Sequence, residues 1–240
     1  MTLSGVACVV LDIEGTTSAT RFVTDVLYPY SRRRFADLLS GRAGEPAVRR
    51  AVDQIRGLLD DPEADAATME RALHAWLDAD TKVTPLKTLQ GIIWAEGFTR
   101  GELTSHFFPD VLPALRAWHA GGIRLCVYSS GSVAAQRAWF AHTPEGDLTP
   151  LLDGLFDTEN AGPKTLPASY RTITAAIAVP PDRTLFLSDR LSELEAARSA
   201  GWLTTGIRRL GEPYHAQGSG SHPEALTFSS IALTRQGVAS

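Results

Sequence analysis

The first hydrophobic segment of the chain reads Val6-Ala7-Cys8-Val9-Val10-Leu11, and Asp12-Ile13-Glu14-Gly15-Thr16 follow it directly. A short apolar run rich in β-branched residues predicts a strand buried in a parallel sheet. The acidic residues and the glycine after it predict a turn at the carboxyl end of that strand. This stretch therefore predicts a buried strand with polar side chains at its carboxyl end.

Apolar runs that stop at polar residues recur later in the chain, with helical patterns between them. Strands that alternate with helices predict an α/β fold with a doubly wound parallel sheet. The later runs are Arg124–Tyr128 before Ser129-Ser130-Gly131, Thr184–Leu187 before Ser188-Asp189, and Leu203–Ile207. The helical patterns are Val111–Ala120, Val133–His142, Ser169–Ala178 and Leu191–Ala200.

A long helical segment interrupts this alternation. Apolar residues at helical spacing occur along Val48–Leu59, from Met69 to Leu77 and from Leu86 to Trp94. We expect an α/β core domain made of residues 1–17 and 109–240, with a helical cap domain, residues 18–108, inserted after the first strand.

Composition excludes several classes of protein. The 240 residues are 44% hydrophobic and 21% charged, which is typical of a globular chain. The formal net charge of −4 disfavours a nucleic-acid or membrane-surface partner. No apolar run approaches the ~18 residues of a membrane span, no signal peptide is recognisable, and two cysteines cannot form a disulfide framework. We expect a cytoplasmic protein, a monomer.

Polar side chains at several strand ends predict one site, because ligands of an open α/β sheet bind outside the carboxyl ends of its strands. Each residue alone would more often be a turn, cap or surface residue, but such a set is not expected to converge by chance. The candidates are Asp12 and Glu14 after the first strand, Ser129 and Ser130 after the second, Asp189 after the third, with Lys164 from a loop and Glu193 one helical turn beyond Asp189.

This set of residue types fits phosphoryl transfer through an aspartyl phosphate. A carboxylate can attack phosphorus, and Mg²⁺ suits one or two carboxylates with a phosphate oxygen. Hydroxyls, main-chain N–H groups and a lysine would hold the phosphate, while a second acid would protonate the leaving oxygen. The glycine-rich motifs of P-loop and dinucleotide-binding proteins do not occur in the sequence.

These motifs occur in the order typical of the haloacid dehalogenase superfamily, which the sequence resembles. That superfamily usually has an aspartate two residues after the nucleophile, and the glutamate at position 14 narrows the resemblance to fewer families within it. The sequence further resembles the enolase-phosphatase (acireductone synthase) family of methionine salvage, from about Val9 to Ile207. The stretches that carry this resemblance are Asp12–Thr16, Phe22–Tyr30, Lys87–Trp94, Tyr128–Gln136, Phe156–Thr158 and Leu187–Ala197.

The resemblance implies a role for each candidate. The family converts 2,3-diketo-5-methylthiopentyl-1-phosphate to an enol phosphate and then releases phosphate to give the acireductone, with Mg²⁺ as cofactor. It implies Asp12 as nucleophile and metal ligand, Glu14 as general acid/base with its main-chain carbonyl on the metal, Asp189 as a third ligand, and Ser129, Ser130 and Lys164 as phosphate-binding residues. The small phosphate substrate is the expected partner.

Several alternatives stay open. A phosphatase of the same superfamily that acts on another small phosphate ester would share every core residue. A non-catalytic phosphate sensor is disfavoured because Asp12 and Asp189 are both present. A dehalogenase would keep Asp12 as nucleophile but would not need metal-binding carboxylates, so Glu14 and Asp189 argue against it.

The residues that select the substrate are expected in the cap, since the core contacts mainly the phosphate. Candidates are Phe22, Tyr28, Gln90, Trp94 and His106, although helix packing would explain the aromatic residues and His106 lies at a domain boundary. We hypothesise that Glu14 serves both the enolisation and the phosphate release.

Overall fold

A computed structural model of the chain describes residues 1–81 and 83–234. The first strand, β1 (Thr2–Ser4), pairs in parallel with β8 (Ala232–Thr234) in a small separate sheet. The main sheet consists of β2 (Cys8–Leu11), β3 (Arg124–Tyr128), β4 (Gly154–Phe156), β5 (Thr184–Ser188), β6 (Leu203–Ile207) and β7 (Glu224–Ala225). These six strands are all parallel and lie in the order β4-β3-β2-β5-β6-β7.

The parallel sheet confirms the predicted fold class, and the four predicted strands occur within two residues of their expected bounds. Strand β2 is central, with Leu11 opposite Val127 of β3 on one side and Leu187 of β5 on the other. The carboxyl ends of the three central strands therefore lie side by side at one edge of the sheet.

Both faces of the sheet are covered, as expected for a parallel sheet flanked by helices. Cys8 and Val10 of β2 pack in a cluster with Tyr128, Phe186 and Tyr170. The residues that alternate with them along β2, Val9 and Leu11, are also fully buried. This continuous burial explains why β2 is uniformly apolar in sequence.

Four helices lie in the described residues of the α/β part of the chain. They are α7 (Val111–Ala120), α8 (Val133–Ala141), α9 (Pro167–Ile177) and α10 (Leu191–Ser199), counted after the six helices of the insertion given below. Single 3₁₀ turns occur at Thr149–Leu151, Pro181–Arg183, His215–Gln217 and Phe228–Ser230.

The chain divides into two compact units, one formed by Met1–Thr20 with Thr104–Ser240 and the other by Arg21–Leu103. The second unit has no strand among its described residues and is built from helices. The helices from its start are α1 (Thr20–Phe22), a π-helical turn (Val23–Leu27), α2 (Tyr28–Arg32), α3 (Phe35–Gly41), α4 (Pro46–Leu59), α5 (Ala66–Asp78) and α6 (Thr84–Thr99).

Within the helical unit, α4 packs on α6 and α3 packs on α5. The fully buried side chains of Val48 and Ile55 lie on one face of α4, as the apolar spacing predicts. In the part of the chain that the structure describes, no helix combines the length and the apolar character needed to cross a bilayer.

Candidate active site

The candidate site begins with three residues that directly follow neighbouring strands. Asp12 follows β2, Ser129 follows β3 and Asp189 follows β5, and all three side chains are buried. The main-chain N–H of Asp12 still bonds to the carbonyl of Leu187, at 3.0 Å. The sheet therefore fixes the backbone of Asp12 up to the residue that carries the carboxylate.

Lys164 meets Asp12 from a loop that is distant in sequence. Its ammonium donates a hydrogen bond to Oδ1 of Asp12 at 2.5 Å and lies 2.7 Å from Oε2 of Glu193. The lysine side chain is only 8% exposed. Burial disfavours the charged form, but attraction to the two carboxylates outweighs it and raises the pKa of Lys164, which therefore stays protonated.

Hydrogen bonds fix the loop that carries Lys164 from several sides. The hydroxyl of Tyr128 donates to the carbonyl of Gly162, and that of Tyr170 donates to the carbonyl of Lys164, each at 2.7 Å. The hydroxyl of Ser169 donates to the carbonyl of Pro163, also at 2.7 Å. The ammonium is thus presented to Asp12 by an anchored segment.

Glu193 lies in the first turn of α10 and joins Lys164 to the end of β5. The hydroxyl of Ser188 donates to Oε2 of Glu193 at 2.9 Å, and it lies 3.4 Å from Oδ2 of Asp12. A hydroxyl donates one proton at a time, so the shorter contact with Glu193 is the favoured one. Burial raises the pKa of Glu193, while Lys164 opposes that shift.

The turn after β2 brings the first motif against Asp189. Gly15 has a left-handed φ of +73°, and a Cβ at this position would overlap the Asp189 carboxylate. The hydroxyl of Thr16 accepts a hydrogen bond from the main-chain N–H of Asp189 at 3.0 Å and lies 3.5 Å from Oδ2 of Asp12. The glycine is required here for both its backbone conformation and its lack of a side chain.

Ser129 and Ser130 stand in the loop between β3 and α8. The helix cap is Ser132, whose hydroxyl accepts from the N–H of Ala135 at 3.2 Å. The amide of Gln136 pins this loop by donating to the carbonyls of Gly131 and Phe156, each at 2.8 Å. Ser129 and Ser130 therefore do not serve as the N-cap of α8.

Glu14 lies two residues beyond Asp12, is half-buried, and forms an isolated bridge with Ser18. The chain between them turns tightly, with the N–H of Gly15 bonded to the carbonyl of Ser18 at 2.7 Å. This turn keeps Glu14 in the same loop as Asp12.

The carboxylates of the site fit a hard cation. Oδ1 of Asp189 is buried and has no hydrogen-bond partner among the described residues. Burial, with the charges of Asp12 and Glu193, raises the pKa of the Asp189 carboxyl to about 8. A cation beside Asp12 and Asp189 would relieve both penalties, and Mg²⁺ characteristically binds one or two protein carboxylates.

No group of three or more His, Cys, Asp or Glu side chains in residues 1–81 and 83–234 forms a metal-binding cluster. Two carboxylates at this site, those of Asp12 and Asp189, could hold a cation together with non-protein oxygens. Such a set matches the preference of Mg²⁺ for water and phosphate oxygens.

Comparison with known proteins places the chain among its relatives. A family model for haloacid dehalogenase-like hydrolases matches residues 6–201. The chain is 67% identical over 227 residues, 95% of each chain, to Enolase-phosphatase E1 of Streptomyces avermitilis. The chain belongs to the enolase-phosphatase family of haloacid dehalogenase-like hydrolases.

Other relatives of this enolase-phosphatase family member agree. Enolase-phosphatase E1 of Frankia alni is 52% identical over 93% of this chain and 94% of its own. The crystal structure of the UTR4 protein of Saccharomyces cerevisiae superposes with a TM-score of 0.77 at 28% identity, covering 94% of this chain and 100% of that one. The resemblance read from the sequence is thereby confirmed.

The predicted cap residues of this family member are distributed over both units. Phe22, Tyr28, Gln90 and Trp94 belong to Arg21–Leu103, whereas His106 belongs to the α/β unit. Trp94 donates from its ring to the carbonyl of Leu27 at 2.9 Å, and the Tyr28 hydroxyl donates to Asp80 at 2.9 Å. Both side chains thus connect parts of the helical unit, while Nε2 of buried Gln90 has no hydrogen-bond partner among the described residues.

Sequence reasoning missed several residues that shape the site. Thr16 and Ser188 touch Asp12 through hydroxyls, and each had a signal, since one ends the first motif and the other precedes Asp189. Glu193 is a candidate from the sequence, but its contact with Lys164 has no signal there.

Proposed function

We propose that this chain is a Mg²⁺-dependent enolase-phosphatase of methionine salvage. It converts 2,3-diketo-5-methylthiopentyl-1-phosphate to the enol phosphate and hydrolyses that product to acireductone and phosphate. The observation that carries the hydrolytic half is the 2.5 Å contact between Lys164 and Asp12. The identity of 67% to an enolase-phosphatase supports the choice of substrate.

In this proposal Asp12 is the nucleophile. Its carboxylate attacks the phosphorus, the bond to the substrate oxygen breaks, and an aspartyl phosphate forms on Asp12. Glu14 donates a proton to the departing oxygen and later takes one from the water that hydrolyses the aspartyl phosphate. The short main-chain turn between the two residues supports their joint action.

Lys164, Ser129 and Ser130 bind the phosphate. The Lys164 ammonium already faces the attacking carboxylate, so it is oriented before substrate arrives and needs little rearrangement to neutralise charge on the transferring group. The hydroxyls of the two serines supply directional hydrogen bonds at the end of the neighbouring strand.

Haloacid dehalogenase-like enolase-phosphatases generally use Mg²⁺. In this chain we propose that Asp12, Asp189 and the main-chain carbonyl of Glu14 hold it. When bound, the metal would offset the repulsion between the carboxylates and the substrate phosphate. The unpartnered buried oxygen of Asp189 supports this assignment.

The enolisation half requires a base near the carbon next to a carbonyl. We assign this role to Glu14 as well, because its side chain is one methylene longer than the aspartate usual at this position. The helical unit Arg21–Leu103 is the proposed cap that selects the substrate and excludes water.

A paired assay tests the proposal. Purified protein with Mg²⁺ and the diketo phosphate is followed for enol absorbance and released phosphate together, with Asp12→Asn as control. We expect both signals from the wild-type protein and no phosphate from the variant. Phosphate release without an enol signal, on this substrate and on simple esters alike, would instead identify a phosphatase of different specificity.

The assembly state and location are part of the proposal. We propose a monomer that works in the cytoplasm, which agrees with two free, buried cysteines. Light scattering coupled to size-exclusion chromatography tests the assembly state, and a dimer mass at micromolar concentration would refute it.

A further inference from the structure

A buried arginine follows β6 at the same edge of the sheet as the candidate site. Arg209 is only 4% exposed, and its neighbour Arg208 is 3% exposed. An arginine is almost never fully buried unless it is paired, because its charge is expensive to remove from water. The groups that Arg209 contacts therefore indicate its role.

The guanidinium of Arg209 is anchored on one side through Nη1, while its Nη2 is buried without a hydrogen-bond partner among the described residues. Nη1 donates to both carboxylate oxygens of Asp110, each at 2.8 Å. The ring of Phe108 lies 4.4 Å from the guanidinium carbon. Burial lowers the pKa of Arg209, and the hydrogen bonds that it donates to Asp110 oppose that shift, so the group remains charged.

On its other side Arg209 contacts the first motif. Its Nε donates to the main-chain carbonyl of Thr16 at 3.1 Å. Thr16 is the residue whose hydroxyl accepts from the N–H of Asp189 and lies beside Oδ2 of Asp12. One residue therefore links the guanidinium to the proposed nucleophile and to the proposed metal ligand.

We propose that Arg209 is a positioning residue that fixes the distance between Asp12 and Asp189 by holding the backbone of Thr16. The inference rests on the roles given to those two carboxylates in the proposed function. Arg209 acts through its hydrogen bond to Thr16, with Asp110 setting the orientation of the guanidinium. Two carboxylates held at a fixed separation form a better cation site than two that can move apart.

The substitution Arg209→Lys separates this role from simple charge pairing. A lysine keeps a positive charge that can reach Asp110, but it has no group at the position of Nε to bond Thr16. Arg208→Lys is the matched control, because Arg208 is equally buried and its hydrogen bonds go to Ser219 and the carbonyl of Tyr214.

Binding of Mn²⁺ to each protein, measured by electron paramagnetic resonance without substrate, is the primary readout. The half-saturating Mg²⁺ concentration for phosphate release is the second. We expect Arg209→Lys to lower the affinity for Mn²⁺ and to raise the half-saturating Mg²⁺ concentration, each by about 10- to 100-fold, the range for residues that orient metal ligands. Arg208→Lys should leave both quantities within about twofold of the wild-type values, although we expect it to lower Tm about as much as Arg209→Lys does.

Equal metal binding by the two lysine variants would overturn the inference. If Arg209→Lys does not fold, Asp110→Asn makes the same test from the opposite side of the guanidinium, and unchanged Mn²⁺ binding by that variant would be equally decisive against it.

Asp189→Asn distinguishes this failure from failure of the proposed site. Loss of Mn²⁺ binding in Asp189→Asn, with normal binding in Arg209→Lys, overturns only the role of Arg209. Normal binding in Asp189→Asn overturns the metal site and the inference together.

Discussion

The ammonium of Lys164 lies 2.5 Å from Oδ1 of Asp12, although 152 residues separate them in the chain. The same ammonium lies 2.7 Å from Glu193. One buried cation thus faces the carboxylates of Asp12 and Glu193, and a third carboxylate close to them, that of Asp189, has one oxygen with no hydrogen-bond partner among the described residues. The excess of carboxylates over lysine favours an additional cation, which would bind together with the anionic phosphate of the substrate.

Removing the carboxylate charge of Asp12 should stop turnover without unfolding the protein. In Asp12→Asn the amide cannot attack phosphorus, so we expect phosphate release to fall at least ~10³-fold. Lys164 keeps Glu193 as its counter-charge, and we therefore expect Tm to stay within a few degrees. Retention of more than about a tenth of the wild-type rate would contradict the assignment.

Removing the Lys164 ammonium should harm both stability and activity. Lys164→Met leaves Asp12 and Glu193 buried without a counter-charge, and breaking a buried ion pair in this way typically costs about 3–5 kcal/mol. Added Mg²⁺ should recover part of the lost stability, because it binds the folded carboxylates preferentially.

Chemical denaturation of Lys164→Met with and without Mg²⁺ measures this recovery. Lys164→Arg keeps the positive charge and serves as the comparison. We expect it to restore stability more fully than kcat, because the planar guanidinium places its donors differently from the ammonium. Equal stability of Lys164→Met and wild type in the absence of metal would disprove the account of the ion pair.

Substituting Gly15 tests the close approach of the first motif to Asp189. Gly15→Ala should abolish most activity and weaken Mg²⁺ binding, because the new methyl group displaces the Asp189 carboxylate. Gly101→Ala is a matched control, since Gly101 has a similar φ of +70° and open space around it.

Both alanine variants should lose about 1–2 kcal/mol of stability from the left-handed backbone conformation. Only Gly15→Ala should change kcat and the half-saturating Mg²⁺ concentration, as measured by phosphate release during a metal titration. The same kinetic effect in both variants would show that backbone strain alone is responsible.

Neutralising Glu193 should strengthen the ion pair between Lys164 and Asp12. In Glu193→Gln the ammonium has Asp12 as its one remaining anionic partner among the described contacts, so it binds that carboxylate more tightly. The substrate phosphate must then compete with Asp12 for Lys164. We expect KM to rise and kcat to fall, each by about tenfold, the scale of a lost charge-assisted hydrogen bond.

Steady-state kinetics at saturating Mg²⁺ separates the two parameters for Glu193→Gln. A fall in kcat with an unchanged KM would mean that Glu193 does not influence phosphate binding through Lys164.

The strands that form the centre of the sheet were predictable because they are buried on both faces. Runs such as Arg124–Tyr128 and Leu203–Ile207 are mostly buried, and their predicted bounds agree with the structure. By contrast, β4 at Gly154–Phe156 has three half-buried residues, and β7 has only two residues, so neither leaves a recognisable periodic pattern.

The convergence of polar residues at one edge was also predictable, since it follows from parallel strands. The contacts that hold the site residues in place could not be predicted from the sequence. Arg209 and Thr16 are 193 positions apart, and a single arginine after a strand carries no sequence signal for a partner at that distance. The link between Glu193 and Lys164 likewise depends on a loop conformation that no local pattern specifies.

The most direct measurement of the central claim is chemical trapping of the phosphorylated enzyme. Protein quenched during turnover is reduced with borohydride, which converts an aspartyl phosphate to homoserine, and the peptides are sequenced by mass spectrometry. We predict homoserine at position 12 in the wild-type protein, and none there when substrate is omitted. Unmodified Asp12 in samples that are releasing phosphate, or homoserine at position 189, would contradict the account.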